Sequence, residues 1–167
     1  MKMKKITQLC LLLFLASCSQ EKDIMDNISL NLGDNMTNKN LQEAELFLDS
    51  NLANSGVIEV ESGLQYLVMN SGDASTPTPL LSDTITAHFH GTLLDGTVFW
   101  SSVDMNEPLT IKPSQLIQGC QKILPLMRVG DKWKVFIHPD MAYGEEGRPT
   151  IPSNSVLIFD LELLAIE

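Results

Sequence analysis

Among the groups in this 167-residue chain that could act as acids, bases, nucleophiles or metal ligands are three histidines, three cysteines and 21 carboxylates. Their spacing decides what they can do. His88 and His90 stand two apart in AHFH, on one face if that stretch is a strand, with His138 elsewhere. Two imidazoles without a cysteine or an acidic partner in register fall short of a metal-ligand set, so no metal is assigned and the histidines read as solvent-facing or hydrogen-bonded. No serine sits in a GxSxG elbow, which removes the usual context for a Ser-His-Asp hydrolase. Neither a phosphate-cradling glycine loop nor a dinucleotide fingerprint occurs, and no cofactor is expected. Cys120 has apolar neighbours in a helical stretch and reads as a small buried hydrophobe rather than a nucleophile. Aromatic residues remain: Phe89, Phe99, Trp100, Tyr143 and Phe159.

Strands must hold these rings. The run TITAHFHGTLLDGTVFWSS, Thr84 to Ser102, places Ile85, Ala87 and Phe89 on one strand face, turns at Asp95-Gly96 and returns through Val98-Phe99-Trp100. From Gly56 the period becomes strand-like, with a first strand at Leu64 to Met69 and then a loop punctuated by Gly72, Pro77 and Pro79. A short strand at Leu109 to Ile111 precedes a helix predicted over Gln115 to Met127, which the missing N–H of Pro125 should end near Leu124. Asp131 to His138 alternates with Trp133, Val135 and Ile137 on one face, and Val156 to Ile166 closes the chain. Strands, one helix and further strands indicate an α+β domain over residues 56–167. Upstream, Leu41, Ala44, Leu48 and Leu52 recur at helical spacing behind an Asn40/Glu43 capping box. An N-terminal helix is therefore placed within residues 40–55, its apolar stripe seated either on the domain or on a second copy as a weak homodimer.

Residues 1–17 have the plan of a secretory signal: Lys2, Lys4 and Lys5, an apolar run from Leu9 to Leu15, then Ala16-Ser17. The run is too short to span a membrane. Leu15-Ala16-Ser17-Cys18 resembles the bacterial lipoprotein box, which implies lipidation of Cys18 and a cell-envelope location, periplasmic or surface-facing. Residues 18–39 are polar and aperiodic and read as a tether. Cys10 leaves with the signal and Cys18 carries lipid, so Cys120 has no disulfide partner. Loss of the three signal lysines makes the formal net charge of −10 more negative still. That excludes nucleic acid and anionic lipid as charge-driven partners, and leaves membrane attachment to the acyl group.

Taken with Tyr143-Gly144 and the closing VLIFDLELLAIE, the AHFHGTLLDGTVFWSS stretch closely resembles the FKBP-type peptidyl-prolyl isomerases, whose pattern here is VxYTGxLxDGxxFDSS. The resemblance covers about Gly56 to Glu167 and implies a bent antiparallel sheet wrapped round one short helix. It also implies site roles. Phe99 stands at the pocket phenylalanine, Ile117 at the isoleucine whose N–H bonds the ligand, and Tyr143 at the tyrosine whose hydroxyl bonds a ligand carbonyl. Phe159 matches the phenylalanine of the pocket wall and Ile151 the flap isoleucine. Phe99, Tyr143 and Trp100 are expected to be catalytic, with Phe89, Leu109, Leu116, Ile117, Cys120, Ile151 and Phe159 binding substrate. Several letters depart from the family. Phe89 replaces a tyrosine, Trp100 an aspartate and Cys120 the tryptophan of the pocket floor, while Leu109 and Met141 replace further aromatics. Two outcomes are open at Cys120: Trp100 turns its indole into the volume left there, or the pocket is shallower.

The implied activity, isomerisation of prolyl bonds in extracytoplasmic proteins, needs no cofactor, acid, base or metal. The barrier to rotating a peptide bond is about 18–20 kcal/mol because amide resonance must be lost. A dry pocket that favours the twisted, less polar amide lowers it. The expected partners are proline-containing polypeptides. Trp100 and Cys120 would weaken turnover, and keep open an alternative: a proline-peptide binding or chaperone module with little isomerase activity.

Overall fold

The computed structural model describes residues 32, 35–37 and 39–167. The chain divides into units Met1–Asn38 and Lys39–Glu167, and among the described residues the strands belong to the second. The signal, Cys18 and most of the tether lie outside the described residues.

Period-2 patterning produces one seven-stranded antiparallel sheet: β1 Val57–Glu61, β2 Leu64–Asn70, β3 Ile85–Thr92, β4 Val98–Ser101, β5 Leu109–Ile111, β6 Lys132–Ile137 and β7 Leu157–Ile166. The order is β1-β2-β6-β7-β3-β4, with β5 also on β3. Strand β3 shows the rule most plainly, burying Ile85, Ala87, Phe89 and Gly91 in alternation with half-buried neighbours. The predicted turn at Asp95-Gly96 is present. Gly96 takes φ +84°, and Oδ1 of Asp95 accepts the Thr97 N–H at 2.9 Å, a bond that holds the Asp95 carboxyl below its usual range. Strand β1 goes beyond the single strand read from the sequence. Its exposed Ile58, Glu59, Val60 and Glu61 form a charge-bearing sheet edge, which carries little of the burial pattern that marks an inner strand.

Among the described residues, helices cover opposite faces of the sheet. The helix predicted over Gln115 to Met127 is shorter: α2 is Gln118–Ile123, flanked by 3-10 turns at Pro113–Gln115 and Leu124–Leu126. Leu116 and Ile117 are extended, with ψ 174° and 155°, so their helical spacing is coincidental. At the other end Leu124 caps the helix, where Pro125 was expected to stop it. Cys120, Ile123 and Leu124 meet the inward residues of the strands in the main core. Helix α1, residues 39–51, lies on the far face, where Ala44 and Leu48 pack with Phe136 and Val156. Residues 35–37, read as tether, are helical, and Lys39 already belongs to α1, so Asn40 is inside that helix and is not its cap. Its Nδ2 donates instead to the Ser153 carbonyl at 2.8 Å. A buried amide pair pins the helix's other end: Asn51 Nδ2 donates to Gln65 Oε1, and Gln65 Nε2 donates to the Leu48 carbonyl, each at 2.9 Å.

Candidate functional site

On the α2 side of the sheet, loop and strand residues enclose a cleft of about 660 Å³. Phe89 comes from β3, Phe99 and Trp100 from β4, Leu109 from β5, Leu116 and Ile117 from the extended link before α2, and Cys120 from α2 itself. Tyr143 and Ile151 come from the β6–β7 loop and Phe159 from β7. Every pocket residue expected from the sequence therefore lines one cavity. Gln115, Ala142, Arg148 and Thr150 complete the lining and were not foreseen.

The aromatic wall is built by a bulge. Gly91 pairs with Trp100 and Thr92 with Val98, leaving Phe99 without an opposite residue. One extra residue breaks the alternation of β4, so that adjacent Phe99 and Trp100 both line the cleft. Phe99 and Phe159 meet edge-on at 5.5 Å between centroids, and Phe89 meets Phe159 at 6.3 Å. Gly91 makes the room. A Cβ there would lie 2.4 Å from Cζ of Phe99 and 2.9 Å from Cε1 of Phe159. A glycine inside an alternating strand was the available signal for this close approach. Beyond the bulge, Ser102 ties the end of β4 to β3: its Oγ accepts the Phe89 N–H at 2.9 Å, and its own N–H donates to the Phe89 carbonyl at 2.9 Å.

The loop residues are held as firmly. The Gly147 N–H donates to the Tyr143 carbonyl at 3.1 Å, and the Asn154 N–H to the Gly144 carbonyl at 2.8 Å. Arg148 and Ile151 exchange backbone bonds of 2.7 and 2.9 Å. Gly147 takes φ +61°, and a Cβ on it would fall 2.4 Å from the Ile151 carbonyl oxygen, so the turn requires glycine. Among the described residues, no protein group bonds the Tyr143 hydroxyl, and the Ile117 N–H, just ahead of the first turn of α2, has no backbone acceptor.

The lining holds no carboxylate. Cys120 is 2% exposed, and burial pushes its thiol up to about 12, so it is a neutral part of the cleft base. Trp100 stays 38% exposed, edge-on to Phe89 at 6.4 Å, instead of sinking into the core beside Cys120. The histidines stand apart from the cleft lining. Nδ1 of His88 lies 2.9 Å from Ser102 Oγ, and Nδ1 of His90 2.9 Å from Ser101 Oγ. Nδ1 of His138 accepts the Asp140 N–H at 3.2 Å. No cluster suited to a metal occurs among the described residues.

Comparison with known proteins agrees with this geometry. The family pattern of the FKBP-type peptidyl-prolyl cis-trans isomerases matches residues 76–164, and that of the domain amino-terminal to such isomerases matches residues 15–68. The chain is 46% identical over 129 residues to the FKBP-type isomerase FkpA of Aeromonas hydrophila, covering 77% of this chain and 47% of that one. It is 36% identical over 149 residues to the outer membrane protein MIP of Legionella longbeachae, covering 88% and 62%. Both relatives are thus considerably longer. The crystal structure of FkpA from Escherichia coli superposes with a TM-score of 0.78 at 30% identity, over all of this chain and 74% of that one.

Proposed function

Because this chain belongs to the FKBP-type peptidyl-prolyl cis-trans isomerase family, we propose that its cleft binds a proline ring and speeds cis–trans rotation of the peptide bond before it. The observation that carries this reading is one cavity in which the Phe89, Phe99 and Phe159 rings meet edge to face beside an unpaired Tyr143 hydroxyl and an unpaired Ile117 N–H. The proline ring sits against the three phenylalanines. Tyr143 donates to one peptide carbonyl and the Ile117 N–H to another, fixing the chain on both sides of the rotating bond. Twisting that bond uncouples nitrogen and carbonyl, leaving a less polar amide that an apolar, water-poor cleft tolerates better than water does. No group needs to gain or lose a proton, in keeping with the neutral thiol of Cys120 and the absence of a carboxylate in the lining.

Tyr143→Phe should weaken binding of a proline peptide by about 0.5–1.5 kcal/mol, the net worth of one hydrogen bond, with folding stability nearly unchanged. Equal losses of affinity and stability would make Tyr143 a structural residue. The second reading, a proline-binding module with slow turnover, rests on Trp100 at the position where the family has a carboxylate.

For the whole protein, the reading is a lipid-anchored envelope folding factor, supported by the leader before Cys18 and by an outer-membrane relative. Cys18→Ala should move it from the membrane to the soluble fraction, and unchanged partitioning would remove lipidation. Pairing of two copies through α1 would have to use outward residues such as Leu46, since Ala44 and Leu48 are buried in the domain.

A further inference from the structure

Arg148 is the one charged side chain lining the cleft. Its guanidinium carbon lies 4.7 Å from the centroid of the Tyr143 ring, and its backbone is locked by the reciprocal bonds to Ile151. Among the described residues no carboxylate pairs with it. Its loop neighbours Glu145 and Glu146 are exposed and do not contribute to the lining. A protein of net charge −10 thus presents a cation and no anion at this cleft.

We propose that Arg148 is a specificity-determining residue that selects prolyl segments carrying Asp or Glu immediately before or immediately after the proline. The inference rests on the cleft being the prolyl site, as proposed above. The guanidinium and the Tyr143 hydroxyl belong to one stacked pair, and an extended residue spans about 3.3–3.6 Å. An acidic side chain one or two positions from the carbonyl held by Tyr143 therefore reaches Arg148. The overall negative charge opposes this at long range, but a Debye length of about 8 Å at physiological salt screens the distant charges far more than a contact pair. The planar guanidinium, stacked on the ring, also offers a paired N–H edge that fits a carboxylate.

The test uses acetylated, amidated peptides with Glu, Gln or Lys placed before the proline, and a second set with the same residues after it, at about 0.15 M salt. Both isomerisation rate and equilibrium affinity are measured. At one of the two positions Glu should exceed Gln by about two- to fivefold, the range of an exposed ion pair, with Lys below Gln. Arg148→Gln should bring the Glu/Gln ratio to one, and Arg148→Lys should keep part of it. A ratio at or below one at both positions, or one that survives Arg148→Gln, overturns the proposal. Absence of turnover on every peptide would instead count against the isomerase reading, and the affinity ratio would still decide this one.

Discussion

At the residue scale, a site without acid–base groups depends on where rings are allowed to sit, and Gly91 is the residue that allows it. Gly91→Ala would drive a methyl group into Phe99 and Phe159. The expected result is a loss of about 1–3 kcal/mol in chemical denaturation, the usual cost of overpacking, together with weaker proline-peptide binding. Normal stability and normal affinity would mean that the two rings move aside freely and do not form a fixed wall. Phe99 and Tyr143 were legible in the sequence through family spacing alone, and Phe89 and Phe159 through strand alternation as well. Trp100 was legible as a departure, but its place was not. A bulge is a one-residue slip in pairing between two strands, and no local pattern in VFWS reveals it.

Among the elements, those whose burial is periodic and local were readable, and those decided by distant partners were not. Strand β3 alternates cleanly and β7 does over most of its length, while β6 buries Phe136 as well, under α1; the bounds of β6 and β7 fall within one residue of the expected ones. Helix α2 was overread because Leu116 and Ile117 are apolar at helical spacing, yet the turn opened by Pro113 delivers them extended to the cleft. For α1 the stripe itself was plain, but two seats suited it equally, and Phe136 lies far along the chain on a strand already read as facing inward through its neighbours. The observed seat makes a quantitative claim. Leu48→Ala should destabilise the domain by about 2–5 kcal/mol, as for other buried leucines, while peptide binding in the opposite-side cleft persists at temperatures where the variant is folded. A cost within a few tenths of a kcal/mol would show that α1 is not packed on Phe136 and Val156.

At the scale of the whole molecule, among the described residues α1 and α2 lie on opposite faces of the antiparallel sheet, and the aromatic cleft opens on the α2 side, where strand, link and loop residues converge. Nothing in that arrangement requires Trp100 to act as the family's carboxylate does. The cleft's aromatic contacts and the two unpaired hydrogen-bonding groups are in place without it. Turnover is what separates an isomerase with a substituted wall from a module that only holds proline segments. The direct discriminator is exchange NMR on a short Xaa-Pro peptide with catalytic amounts of the purified protein, because uncatalysed interconversion takes tens to hundreds of seconds and any acceleration stands out. Cis and trans signals that exchange faster in proportion to protein concentration, with Tyr143→Phe slowing the exchange, are the expected result. Peptide that binds the cleft while its cis–trans exchange stays at the uncatalysed rate would contradict the isomerase reading and leave a proline-binding module.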